Sequence, residues 1–160
     1  MRKLMMIAAA LVATPLAARD SLGVFATWGA FRDPTVPRCY AIAMARSSER
    51  ARDYQPFASI GTWPKRGVRG QLHIRMSRAV APNAAIALSV GGRRFALAGG
   101  GGDAWAADKA MDAAIVAAMR SARMMTVSAR DTRGRSFFDS YPLEGAATAM
   151  DAATVGCARR

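Results

Sequence analysis

The amino-acid sequence predicts a mainly β protein: antiparallel sheets packed as a sandwich, with one inserted helix over about 104–120 and a short helix near the C-terminus. Three observations carry that expectation. Residues 86–97, IALSVGGRRFAL, place apolar alternations on either side of Gly91-Gly92, the kind of pair whose positive φ angles a two-residue hairpin turn requires. Residues 71–76, QLHIRM, alternate strictly, with Leu72, Ile74 and Met76 on one face and Gln71, His73 and Arg75 on the other. The middle of the chain holds one stretch of helical period, where Met111, Ile115 and Met119 recur at i, i+4 and i+8 beside Ala114 and Ala118.

In chain order, residues 1–18, MRKLMMIAAALVATPLAA, run from Arg2-Lys3 through an apolar stretch to Pro15 and small residues. This is the pattern of a secretory signal, with cleavage expected after Ala18; the stretch falls short of the roughly 20 residues that span a bilayer. Residues 19–160 then form a single domain, since a chain of 160 residues that is 52% hydrophobic can bury one sizeable core. VFATWGAF (24–31) and RCYAIAM (38–44) read as strands around the turn DPTVP, and polar 46–56 as a surface loop. Within the glycine hairpin the register follows by counting: Val90 opposite Arg93, Leu88 opposite Phe95, Ile86 opposite Leu97. A second hairpin is expected over 124–141, MMTVSAR and RSFFDSY around DTRG. A helix after Pro142 would bury Leu143, Ala147 and Met150.

Residues 95–104, FALAGGGGDA, raise the question of a phosphate-binding loop, because Gly99, Gly101 and Ala104 fit G-x-G-x-x-A. Three features argue against it. Too little chain follows to complete a parallel sheet, and the strand feeding the glycines is already an arm of an antiparallel hairpin. Asp103 would set a carboxylate where an anion should bind. The glycines are therefore expected to form a flexible strand-to-helix connection, with Asp103 capping the helix and Trp105 buried at its start. No cofactor or metal is expected. His73 points outward with no acid nearby in sequence, no G-x-S-x-G elbow is present, and Asp103, Asp108 and Asp112 are explained by the helix dipole. The chain is therefore read as not an enzyme.

Cys39 and Cys157 are the only cysteines, and in an exported chain they are expected to form a disulfide in preference to free thiols or a metal pair. Twenty arginines and three lysines face eleven acids, giving a net charge of +12, of which Arg2 and Lys3 carry two. Such a field attracts anionic lipid, lipopolysaccharide or acidic protein. Nucleic acid is not the expected partner, because export and the absence of a recognised motif outweigh a pI of about 11.3. The candidate anion-binding surface is KRGVRGQLHIRMSR (65–78), where Lys65, Arg66, Arg69, Arg75 and Arg78 concentrate.

An ordered series of short motifs also resembles the invasion-associated locus B family of exported bacterial proteins. It comprises Trp28 and Cys39-Tyr40; Phe95-Ala96-Leu97, the glycines and Asp103-Ala104-Trp105-Ala106; Ala118-Met119; Arg133-Gly134; Asp139-Ser140-Tyr141; and Leu143, Gly145, Ala149 and Cys157. Ala146 and Pro142 depart from the pattern, standing where the family has phenylalanine and serine. The resemblance implies an immunoglobulin-like β-sandwich and a place in the periplasm or at the outer membrane. It implies no biochemical activity. The expected function is thus a non-catalytic envelope-associated protein that binds an anionic envelope component or partner protein. The alternative, an enzyme acting on an envelope polymer, requires a cleft holding two or more acidic or nucleophilic groups.

Overall fold

Gly91 and Gly92 adopt φ of 53° and 84°, the left-handed pair that a tight hairpin needs, and the strands they join, β6 (Ile86–Val90) and β7 (Arg93–Trp105), pair in the register read from sequence. Val90 faces Arg93, Leu88 faces Phe95 and Ile86 faces Leu97. This computed structural model describes residues 19–46 and 52–158; the expected signal segment 1–18 lies outside them, as do 47–51 of the expected loop.

Around this hairpin the described residues build nine antiparallel strands. β1 (Asp20–Phe25), β2 (Trp28–Asp33), β3 (Arg38–Met44), β4 (Phe57–Trp63) and β5 (Val68–Val80) precede it; β8 (Met124–Arg130) and β9 (Ser136–Pro142) follow. The spatial order is β1-β2-β3-β4-β5-β7-β6-β8-β9, so the sheet is continuous and turns from one layer into the next at β7. The start of β7 pairs with β6, while its end, Asp103–Trp105, pairs with β5. Across the interior the layers are tied by Arg46 N donating to Ser140 O at 2.8 Å, Ala81 N to Arg130 O at 2.9 Å and Ser77 N to Asp139 Oδ2 at 2.8 Å. Leu72, Ile74 and Met76 of β5 are fully buried with Leu88, Val90, Met125, Val127 and Tyr141, forming one core from both layers. The Tyr141 ring lies wholly inside, and burial, with the nearby Asp139 charge, raises its hydroxyl pKa and keeps the phenol neutral.

Two helices complete the fold. α1 (Lys109–Met119) seats Ile115, Ala118 and Met119 in the core, and α2 (Ala146–Ala158) lays Ala146, Ala149, Met150, Ala153 and Cys157 against the first three strands. Cys157 is bonded to Cys39 of β3, joining residues 118 apart in sequence. Asp112 of α1 is itself buried; its Oδ1 accepts Leu72 N at 2.8 Å, continuing the hydrogen bonding of β5 past the last residue of β7 that pairs with it. Burial holds the Asp112 carboxyl above the usual range against the lowering effect of the Leu72 bond.

Several local expectations are corrected. The glycines at 99–102 lie within β7 and form no strand-to-helix loop. Close approach demands two of them: a Cβ on Gly99 would collide with the Asp103 carbonyl, and one on Gly102 with the Tyr54 ring, while Gly101 supplies a φ of 59°. Asp103 consequently sits in β7, and the helix cap is Asp108, whose Oδ1 accepts Met111 N at 2.7 Å. The inserted helix starts at Lys109 instead of near 104, so Trp105 belongs to the strand and is 38% exposed instead of core. The expected strand 24–31 is a hairpin turning at Ala26-Thr27, with Ala26 at φ 51°. The second hairpin forms as expected, as β8 and β9. The C-terminal helix begins after Leu143, which is buried but precedes it.

Candidate functional site

The basic segment splits into two groups. Pro64, fixed near helical φ, starts one turn of 3-10 helix over Pro64–Arg66, which Gly67 closes at φ 64° with its N–H on Pro64 O at 3.1 Å. That turn presents Lys65 and Arg66 to solvent, and Arg69 is likewise exposed at the start of β5. None of the three forms an ion pair among the described residues.

Arg75 and Arg78 lie further along β5 and are engaged internally. Arg75 Nε is 3.0 Å from Asp103 Oδ1, with its guanidinium 5.0 Å from the centre of the Tyr54 ring. Arg78, mostly buried, donates to Asp131 Oδ2 at 3.0 Å. Asp131 gathers Arg133 N and Arg135 N at 2.9 Å on one oxygen and Arg135 Nε at 3.0 Å on the other. Burial opposes its charge, yet the bonds from Arg135, Arg133 and Arg78 hold the carboxyl far below the usual range. At roughly 3.3 Å per residue, Arg69 and Arg78 stand about 30 Å apart along the strand. Of the five expected residues, Lys65, Arg66 and Arg69 are thus the exposed cations without ion pairs among the described residues, gathered at one end of β5, while Arg75 and Arg78 carry ion pairs further along it.

That end borders a cleft of about 540 Å³ lying between β5, α1 and α2. Its apolar wall comes from Pro64, Ala113, Val116, Ala117 and Ala158; Arg69, Lys109 and Arg120 supply its charged groups, and no carboxylate among the described residues lines it. Leu72 bonds Asp112 while Gly70 faces Val116, so β5 and α1 run in opposite directions and Arg69 lies toward the Arg120 end of the helix. Arg120 is held by Asp151, Nη2 to Oδ1 at 2.6 Å; the bond raises the arginine pKa and lowers that of the carboxyl. Nη1 also donates to Asp151 Oδ2 at 3.3 Å, so the pair is a two-point fork, and with both partners exposed it is open to exchange with solvent and ions. Lys109, Ala113, Val116 and Arg120 share a helical face that flanks the core face of Ile115 and Met119. Sequence reasoning followed the core stripe and missed this one, although the same 3.6-residue spacing marks it.

His73, on the outward face as expected and with no acid nearby in sequence, gains one in the fold: Nε2 lies 2.8 Å from Asp103 Oδ1. The partner is thirty residues away in sequence and reaches His73 only through β5–β7 pairing. Its ring stacks on Trp105 at 5.1 Å and meets the Phe57 ring edge-on at 5.3 Å. Among the described residues no cluster of three or more His, Cys, Asp or Glu is placed to hold a metal, and no helix is long and apolar enough to cross a membrane. Comparison with protein-family models, curated proteins and solved structures finds no match to this chain.

Proposed function

We propose that this chain is an exported, non-catalytic domain of the bacterial cell envelope, of the invasion-associated locus B kind, that binds an anionic envelope component through the end bearing Lys65, Arg66 and Arg69. The observation that carries this reading is the division of the basic segment. Among the described residues, Arg75 and Arg78 are engaged with carboxylates of the same chain, whereas Lys65, Arg66 and Arg69 are exposed without ion-pair partners, beside a cleft that no described carboxylate lines. The absence of acid from that lining favours binding over hydrolysis of a polymer.

The test is partition onto vesicles of phosphatidylglycerol against phosphatidylcholine. Each basic residue near an anionic surface contributes about 1 kcal/mol, so replacing Lys65, Arg66 and Arg69 together by glutamine should weaken binding roughly 100-fold. Binding of the wild-type protein should also fall steeply as salt shortens the Debye length. Equal binding to both lipids, or no response to the triple substitution, would reject the proposal.

A further inference from the structure

We infer that the cleft between β5, α1 and α2 is a binding site for a medium-chain fatty acid anion. This inference rests on the anionic-component reading above and names the ligand class for the part of that surface with depth. Three observations converge on it. The volume of about 540 Å³ lies within the roughly 300–1,000 Å³ of small-molecule sites, which are apolar with a few placed polar groups. Val116, Ala113 and Ala117 form an apolar track along one side of α1 beside its core face, with Val116 partly buried against the core and Ala113 and Ala117 exposed. The charges lining the cleft are all positive, from Arg69, Lys109 and Arg120.

The relative directions of β5 and α1 give the ligand an orientation. Arg69 and Arg120 share one end, where Lys65 and Arg66 sit in the turn between the cleft residues Pro64 and Gly67. A carboxylate head belongs at that end, with the acyl chain lying along Val116 and Ala113 toward Lys109. Asp151 holds Arg120 by an exposed two-point pair, so a ligand carboxylate at this end shares or exchanges with Asp151 for the guanidinium, while Arg69 is without an ion-pair partner among the described residues. A free phosphate or acetate would use the cations and leave the apolar wall wet, whereas an uncharged alkyl chain would use the wall and leave the cations without a partner.

Calorimetric titration of the purified protein at pH 8 with dodecanoate, decanoate, decanol and acetate tests this. Dodecanoate should bind one per chain and tighter than decanoate, by up to about 15-fold for two methylenes at about fourfold each. Decanol should bind weaker than decanoate, and acetate should give no saturable heat. Arg69→Gln should weaken dodecanoate binding about fivefold, the measure of one half-exposed ion pair. Ala117→Trp should abolish it by filling the cleft; Ala117 is exposed, so the core is undisturbed, and Ala113→Trp repeats the test at a second exposed site. Vesicle binding should survive both tryptophan substitutions. Acetate binding as tightly as dodecanoate, decanol matching decanoate, or tryptophan variants that bind dodecanoate normally would each overturn the inference. Wild-type protein that binds phosphatidylglycerol vesicles but not dodecanoate overturns the cleft alone; one that binds dodecanoate but not vesicles overturns the surface reading alone.

Discussion

Replacing Cys39 and Cys157 together by alanine should cost this fold a large share of its stability. The bridge joins β3 to the last turn of α2 and closes a loop of 118 residues in sequence separation. By the chain-entropy argument, releasing a loop of that length returns about 5 kcal/mol of conformational freedom to the unfolded state. For a domain of this size each kcal/mol corresponds to about 3–4 °C, so the midpoint of thermal unfolding should fall by roughly 15–20 °C. The urea dependence should steepen as well, because the unlinked unfolded chain exposes more surface. Circular dichroism melts and urea titrations of the oxidised protein, the reduced protein and the double variant give all three comparisons. Reduction should reproduce the double substitution, since both side chains are buried and small and alanine leaves little empty volume. A fall of less than about 1 kcal/mol, with an unchanged urea slope, would refute the reasoning: the packing of α2 on β1, β2 and β3 would then suffice without the bond.

Three further outcomes follow from particular side chains. Asp112→Ala should destabilise by about 1–3 kcal/mol in urea titrations, because Leu72 N–H is left buried without an acceptor, while Asp112→Asn, which keeps an acceptor, should cost less. The raised Asp112 pKa also means that its ionisation costs stability as pH rises through the folded value, and the asparagine variant should lack that part of the pH dependence. Asp131 has the opposite sign. Its depressed pKa contributes stability that is fully present above about pH 4, the unfolded carboxyl value, and is lost as pH falls below it. The melting-temperature gap between wild type and Asp131→Asn should therefore be constant from pH 7 to 5 and narrow by pH 2.5; an undiminished gap would count against the Arg78–Asp131–Arg135 cluster as its source. Gly92→Ala should cost about 1–2 kcal/mol through its φ of 84° alone, since a Cβ there meets nothing within 4 Å, and Gly92→Asn should recover part of that loss.

What was legible in the sequence was local. The 86–97 hairpin was readable to the residue because turn chemistry and alternation both lie within twelve positions and agree. The inward set Leu72, Ile74 and Met76 was readable for the same reason. The turn at Ala26-Thr27 was not, since neither residue is a turn former and the apolar run continues through it. Nor were the glycines of β7, whose role is set by Tyr54 and by the chain's own return at Asp103. The cap was assigned to Asp103, the first acid after the glycines, whereas Asp108 takes the role because β7 runs on to Trp105. Of the basic segment, composition showed the charge but not its use: Arg75 meets Asp103 and Arg78 meets Asp131 across 28 and 53 positions, through β5–β7 pairing and contact between the layers. The cleft depends on how α1, α2 and β5 dock, which no local pattern encodes.

The central claim is that the exposed cations and the adjoining cleft form the binding surface of this domain. The most direct measurement is a two-dimensional amide NMR spectrum recorded through a titration with dodecanoate. The account predicts that saturable shifts concentrate at Gly67, Arg69 and Gly70 and along Lys109–Arg120, with the His73–Trp105 face unmoved. Shifts centred on His73, Asp103 and Trp105, or spread evenly over the chain, would contradict it.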